Sequence, residues 1–227
     1  MLTIVCVLKR PPTAQLRYDA GWVQKLRNGV ARNLTVPHRF VCLTDMEVPD
    51  VETIPLQHDW MLYWSKVEMF RPGLFDGQCL YMDIDSMICG PIDDLVTPYP
   101  GMIMLTDYYP WFKNSGLMLW DASNPAFGEL YRLMVADPIG TMVKFRYRGI
   151  SSYGDQEFTA NTLASLGVPL AEWQQVKPAE WFLPFSFEGR INPLAVSPST
   201  DVRFCYSLGA PKFDEHPGLP IVRDHWH

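Results

Sequence analysis

At 227 residues, with 48% hydrophobic and 19% charged side chains, the chain is long enough for one domain with a sizeable core and too apolar to be disordered. Its net charge of −6 and the lack of any Lys/Arg block disfavour a duplex nucleic-acid partner, which requires a basic face. No run approaches the roughly 18 consecutive apolar residues of a membrane-spanning helix.

In chain order, Leu2 to Leu8 is predicted as a buried strand stopped by Lys9-Arg10-Pro11-Pro12. It is not a secretory signal, which places its positive charge before its apolar stretch. Trp22 to Leu34 has apolar residues at helical spacing, Arg39 to Leu43 reads as a second strand ending at Thr44-Asp45, and Val51 to Pro55 as a short third. Trp60 to Phe70 is predicted as a helix stopped by Arg71-Pro72-Gly73. Gln78 to Met82 is the next strand, Pro91 to Leu95 a short turn or helix, and Met102 to Leu105 a strand. After an aromatic cluster at Tyr108, Tyr109, Trp111 and Phe112, Gly116 to Trp120 is another strand. Asn124-Pro125 supplies a helix start, and Asp155 to Leu166 a helix closed by Gly167. From Pro169 onward, Pro and aromatic residues obscure any period. Alternating strands and helices predict an α/β fold with a mainly parallel sheet, whose ligands sit beyond the carboxyl ends of the strands.

The five cysteines, Cys6, Cys42, Cys79, Cys89 and Cys205, are widely spaced without a Cys-x-x-Cys pair. They read as reduced core thiols, and a reducing cytoplasm is the expected compartment. The sequon at Asn33-Leu34-Thr35 is then without consequence.

The sharpest chemical signal is the apolar run Cys79-Leu80-Tyr81-Met82, which ends in Asp83-Ile84-Asp85. Residues i and i+2 of a strand project to the same side, so the carboxylates are expected to face together. Two like charges that close repel unless a cation offsets them. Paired carboxylates completed by water or phosphate oxygens suit Mg²⁺ or Mn²⁺. The plainer alternative is an acidic surface turn.

Further motifs stand in a definite order. Phe40-Val41-Cys42-Leu43-Thr44-Asp45 precedes Trp64-Ser65-Lys66-Val67-Glu68-Met69-Phe70 and Leu80-Tyr81-Met82-Asp83-Ile84-Asp85. Asn114-Ser115-Gly116-Leu117-Met118-Leu119 and Gly154-Asp155-Gln156 follow. With these the chain resembles nucleotide-sugar-dependent glycosyltransferases of the GT-A fold, especially glycosyltransferase family 8 and its short bacterial and phage relatives. The resemblance implies a single Rossmann-like α/β domain. A nucleotide-binding part would span about residues 1–105 and an acceptor-side part with the C-terminal closure about 106–227. It implies transfer of a hexose-type sugar from a nucleoside-diphosphate sugar to a carbohydrate or other hydroxyl acceptor, with a lean towards retention of configuration. Asp83 and Asp85 would hold Mn²⁺ or Mg²⁺ on the diphosphate. Thr44, Asp45, Lys66, Asp83, Asn114, Gly116 and Lys212 would contact the nucleotide or donor. Asp155 and Gln156 would lie beside the reacting carbon as the catalytic pair.

The chain departs from the family at a C-terminal His-x-x-Gly-x-x-Lys-Pro pattern, whose His is a third metal ligand. Here the segment is Tyr206-Ser207-Leu208-Gly209-Ala210-Pro211-Lys212-Phe213, leaving His216 or His225 as alternative ligands. Two other functions use overlapping signals. Haloacid-dehalogenase-like phosphatases end an apolar strand in Asp-x-Asp, but nearer the N-terminus and with Thr or Val where this chain has Met87. A non-catalytic carbohydrate-binding protein on the same fold would tolerate the Tyr206 departure.

Overall fold

The strand β1 (Leu2–Leu8) is buried along its whole length because it lies inside a sheet covered on both faces. Its side chains alternate, Ile4, Cys6 and Leu8 entering one core and Val5 and Val7 the other. The computed structural model describes residues 1–10, 18–109, 111–146 and 154–227. Pro11 and Pro12, expected to stop the first strand, lie outside the described residues.

The other strands are β2 (His38–Thr44), β3 (Glu52–Pro55), β4 (Gln78–Met82), β5 (Ser86–Ile88), β6 (Met102–Thr106) and β7 (Lys113–Asp121). The C-terminal third adds β8 (Leu170–Glu172), β9 (Phe182–Phe187), β10 (Arg190–Ile191) and β11 (Phe204–Ser207). A seven-stranded sheet runs β3-β2-β1-β4-β7-β6-β8. β3, β2, β1 and β4 are parallel, β7 is antiparallel to both β4 and β6, and β8 is parallel to β6. This is the expected mixed α/β sheet. A second sheet, β10-β9-β11-β5, was not expected. It is built almost wholly from the stretch after Pro169 whose period is obscure.

The helices are α1 (Ala20–Asn33), α2 (Ala126–Ala136), α3 (Pro138–Lys144), α4 (Asp155–Ser165), α5 (Trp173–Val176), α6 (Pro193–Val196) and α7 (Pro220–His225). Asp19 caps α1 by accepting from Gly21 N, and the helix buries Trp22, Val23, Leu26 and Val30 in the core it shares with the second sheet. Full burial of a side chain such as Leu26 contributes about 1.5–3 kcal/mol. On the opposite face of the large sheet, α2 and α4 enclose Met118, Trp120, Phe127, Leu130 and Phe158. All five cysteines are free, and all but Cys89 are buried.

Two expectations change. Trp60 to Phe70 does not form an α-helix; Leu62–Phe70 is a 3₁₀ helix. Its buried Trp64, Val67 and Phe70 recur every third residue, the period of that tighter helix. Asp83 and Asp85 lie not in a strand but in the turn between β4 and β5, closed by Ser86 N donating to Asp83 O at 3.0 Å. The turn carries the chain from the large sheet into the small one, so the carboxylates sit where the sheets meet.

Candidate active site

Asp83 and Asp85 are not a bare repulsive pair, because each has its own lysine. Asp83 Oδ1 accepts from Tyr81 Oη and lies 2.8 Å from Lys66 Nζ. Asp85 Oδ2 accepts from Lys212 Nζ and, at 2.7 Å, from Tyr18 Oη. Burial pushes the Asp85 carboxyl up, but the charge and hydrogen bond of Lys212 with the Tyr18 hydroxyl prevail and hold it below the ordinary aspartate range. The turn thus ties residues near both ends of the chain to the carboxyl end of β4.

Lys66 links the pair to α4. Its ammonium also donates to Ser115 Oγ at 3.2 Å and lies 3.7 Å from Asp155 Oδ2. Burial favours loss of its proton, but Asp155 and Asp83 outweigh it and raise the lysine well above its usual value. Asp155 is 6% exposed, and its Oδ2 accepts from Ser115 Oγ at 2.8 Å. Burial raises its pKa, while Lys66 and Ser115 oppose the rise. No side chain caps α4; its capping position is Gly154 at φ 68°, where a Cβ would stand 2.6 Å from Tyr63 Cε2. The carboxylate of Asp155 is therefore aimed across at β7 and Lys66.

Asp107, just beyond β6, organises the other flank. Its Oδ2 accepts from Asn114 Nδ2 and Gln156 Nε2, each at 3.1 Å. Asn114 Oδ1 in turn accepts from Gly116 N at 2.8 Å. A side chain at Gly116 would put its Cβ 2.9 Å from Asn114 Oδ1 and 3.3 Å from Asp83 Oδ2, so glycine here lets strand and turn approach.

These groups line three neighbouring cavities that share lining residues. A cavity of about 320 Å³ is bounded by Lys9, Tyr18, Tyr63, Lys66, Asp83 and Asp85. A neighbour of about 220 Å³ shares Tyr63, Lys66 and Asp83 with it and adds Asn114, Ser115, Asp155 and Gln156. A third, of about 480 Å³, begins at Asn114 and Asp107 and continues past Tyr108 and Phe187 to Gly209.

Of the residues singled out from sequence, Lys66, Asp83, Asn114, Asp155 and Gln156 line the second cavity, Gly116 backs it, Asp85 lines its neighbour, and Lys212 holds Asp85 from behind that lining. Thr44 and Asp45 stand apart from this group. Thr44 is buried and its Oγ1 accepts from Met46 N at 3.0 Å, while Asp45 pairs with Lys9 and accepts from Arg10 N at 2.6 Å. Tyr206, at the position of the family's histidine, is buried in β11 opposite Ser86, its hydroxyl held by Gln174 and pushed up by burial. Among the described residues, no group of three His, Cys, Asp or Glu could hold a metal ion, so neither His216 nor His225 completes a set with the Asp pair.

From sequence, no site role falls to Lys9, Tyr18, Tyr81 or Asp107, and Ser115 enters only as the middle of the Asn114-Ser115-Gly116 stretch. Asp107 carried the same signal as Asp83, an apolar strand running into a carboxylate. Tyr18 and Lys9 reach partners 67 and 36 residues away and left no local trace.

No protein-family model matches the sequence, and no curated protein sequence matches it. Solved structures do match. The galactosyltransferase LgtC, in complex with donor and acceptor sugar analogues, is similar with a TM-score of 0.58 and 12% identity, over 93% of this chain and 88% of that one. The glycosyltransferase GlyE of Streptococcus pneumoniae TIGR4 is similar with a TM-score of 0.63 and 12% identity, over 94% of this chain but 56% of its own. The bifunctional glycosyltransferase WbbM gives a TM-score of 0.57 and 11% identity, over 98% of this chain and 50% of its own. At such identities the likeness shows the fold, and the fold is that of GT-A glycosyltransferases.

Proposed function

We propose that this chain is a glycosyltransferase that moves a sugar from a nucleoside-diphosphate donor to a hydroxyl acceptor, using a divalent cation held by Asp83 and Asp85. The reading rests on one observation: two adjoining cavities meet at Asp83 and Lys66, one walled by aromatic rings and the Asp pair, the other by Asn114, Asp155 and Gln156. The first has the lining a nucleotide diphosphate needs, and the second the hydroxyl-binding groups a sugar needs. The structural neighbours support sugar transfer in general, and the one named as a galactosyltransferase was solved with donor and acceptor sugar analogues. The finer kinship, to glycosyltransferase family 8, rests on the motifs alone.

The residues fit a cation shared with a diphosphate. Asp83 spends Oδ1 on Lys66 and Tyr81, and Asp85 spends Oδ2 on Lys212 and Tyr18. Among the described residues the second oxygen of each accepts no hydrogen bond. Two carboxylate oxygens completed by phosphate oxygens and water are a common Mg²⁺ or Mn²⁺ arrangement. Such an ion, when bound, would offset the charge developing on the departing diphosphate. Lys212 would bind phosphate from the same side. Lys66 lies between Asp83 and Asp155, 2.8 Å from one and 3.7 Å from the other, so its part is to position them. Asp155, held by Ser115, would face positive charge developing at the sugar carbon. Gln156 has committed its amide nitrogen to Asp107, which leaves its carbonyl oxygen to accept from a sugar hydroxyl.

Incubation with labelled nucleotide sugars and Mn²⁺ tests the proposal. Release of nucleoside diphosphate, abolished by chelator, is expected. Release of phosphate from monoesters instead would favour the phosphatase alternative, and binding of sugars with neither reaction the non-catalytic one.

A further inference from the structure

Asp107 lines the third cavity and not the second, yet it holds two of the side chains that line the second. It is 7% exposed, and both of its carboxylate oxygens are engaged. Oδ2 accepts from Asn114 Nδ2 and Gln156 Nε2, each at 3.1 Å, and Oδ1 accepts from Tyr109 N at 3.2 Å. Of side chains this size, only a carboxylate accepts on both terminal atoms. The two amides are not equally tethered. Asn114 Oδ1 also accepts from Gly116 N at 2.8 Å, so reversing that amide would set N–H against N–H. Among the described residues Gln156 has no second tether, so Asp107 decides which end of its amide enters the second cavity.

The residue before Asp107 is fastened as firmly. Thr106 N donates to Gln174 Oε1 at 2.8 Å and Thr106 Oγ1 to Glu172 Oε2 at 2.6 Å, which pins the carboxyl end of β6 to α5 and β8. The same Gln174 side chain holds the hydroxyl of Tyr206, which is 5% exposed in β11. Asp107 is close enough for its charge to add to burial in pushing that hydroxyl's pKa up. Tyr206 stands where the resembled family carries a metal-binding histidine, and here its hydroxyl is engaged with the support of β6.

Resting on the donor reading above, we infer that Asp107 is a positioning residue for the transferred sugar, turning the Gln156 amide so that Oε1 meets a sugar hydroxyl. Tyr206, through Gln174, steadies the end of β6 from which Asp107 projects. Asp107→Asn breaks the arrangement without changing its size. The Asn oxygen can face the two amide nitrogens only if its own NH2 faces Tyr109 N. Turned the other way, its NH2 confronts both amides, and Gln156 reverses to offer N–H where the sugar met an oxygen. A sugar held askew loses turnover, whereas the diphosphate, bound at the Asp pair and the lysines, keeps its affinity.

The test is steady-state hydrolysis by the full chain in Mn²⁺ of UDP-glucose, UDP-galactose, UDP-N-acetylglucosamine, GDP-mannose and ADP-glucose, the fastest of them being carried into the variants. Asp107→Asn is expected to lower kcat by about 100-fold, the cost of a small misplacement, with KM and the Kd of the matching nucleoside diphosphate little changed. Tyr206→Phe removes only the hydroxyl and is expected to lower kcat by about 3–10-fold, the scale of one neutral hydrogen bond. The Mn²⁺ concentration for half-maximal rate should stay as in wild type. An Asp107→Asn chain with wild-type kcat overturns the inference and leaves the donor reading intact. So does one whose kcat, nucleotide affinity and thermal midpoint all fall together, the mark of a residue that only holds the fold. A Tyr206→Phe chain that needs several times more Mn²⁺ puts that hydroxyl at the metal and overturns its assignment as a support. A wild-type chain that hydrolyses none of the donors removes the donor reading and this inference together.

Discussion

Lys66 has three partners and one charge, which makes it the residue on which the site's electrostatics turn. Replacing it with Met would leave the buried Asp155 and the part-exposed Asp83 without their shared counter-ion. Removing one partner of a fully buried pair costs about 3–5 kcal/mol, and the exposure of Asp83 lowers the expected loss to about 2–3 kcal/mol. Lys66→Arg keeps the charge and should recover most of that stability, but its planar fork cannot reproduce the compact contact with Ser115. Urea unfolding of the two variants checks this; equal losses would show that packing, not charge, is what Lys66 supplies. Asp155 allows a sharper separation. Asp155→Asn keeps the volume and an oxygen for Ser115 but removes the charge, so turnover should fall by about 100-fold or more with nucleoside-diphosphate affinity little changed. An Asp155 that served only to hold Ser115 would behave otherwise, because the Asn oxygen accepts from Ser115 Oγ as well. Near-normal turnover in that variant would return Asp155 to a structural role.

At the scale of elements, what could be read from sequence was what is local. β1, α1, β2 and β4 each announce themselves by an apolar run or a capped amphipathic stretch, and the turn after β4 is visible because charge follows apolarity within one segment. The second sheet was invisible for a physical reason. β9 carries Pro184 in an internal strand, β10 has two residues, and β11 finds β5 across more than half the chain. The site's ion pairs were illegible for the same reason, since Lys212 and Asp85 are 127 residues apart. The edge strand β8 illustrates such long-range fastening. Its Glu172 accepts from Lys113 Nζ and Thr106 Oγ1, two strands' worth of contacts on one carboxylate. Burial raises the Glu172 pKa, but Lys113, Thr106 and Gln175 together lower it below the usual glutamate value. A depressed carboxylate stabilises the fold above its unfolded pKa of about 4.3 and loses that contribution as pH falls through the folded value. Glu172→Gln should therefore cost roughly 1.5–3 kcal/mol near pH 7, with the gap from wild type closing as the pH falls below 4.3 or so. Denaturant midpoints at pH 7 and pH 3 decide it; a gap that stays constant would mean that the charge of Glu172 contributes nothing.

At the scale of the molecule, the cleft is assembled from parts that are remote in sequence. Lys9 comes from the end of β1, Lys66 from the 3₁₀ helix, Asp83 and Asp85 from the turn between the sheets, Asp155 from α4, and Lys212 from beyond β11. The C-terminal segment that carries Lys212 is fixed by Phe213, which is fully buried against Trp22 and Phe185, with ring centroids 6.4 and 4.8 Å away. A ligand that spans the cleft can bind only when all these segments are in place, so its binding energy becomes resistance to global unfolding. In saturating Mn²⁺, a nucleoside diphosphate at about 100 times its apparent dissociation constant should stabilise the fold by about 2.7 kcal/mol. For a domain of this size that corresponds to a rise of about 5–10 °C in the thermal midpoint. Mn²⁺ alone should give a much smaller rise, because the two protein carboxylates await the phosphate oxygens to complete the coordination. Asp85→Asn lowers the starting midpoint by leaving Lys212 without its carboxylate, and it should also abolish the difference that Mn²⁺ makes to the nucleotide's effect. Thermal unfolding of wild type and variant, each with nucleotide plus Mn²⁺ and nucleotide plus chelator, separates the two consequences. If the wild-type midpoint rises equally in Mn²⁺ and in chelator, the nucleotide binds without a metal, and Lys66 and Lys212 alone hold the diphosphate.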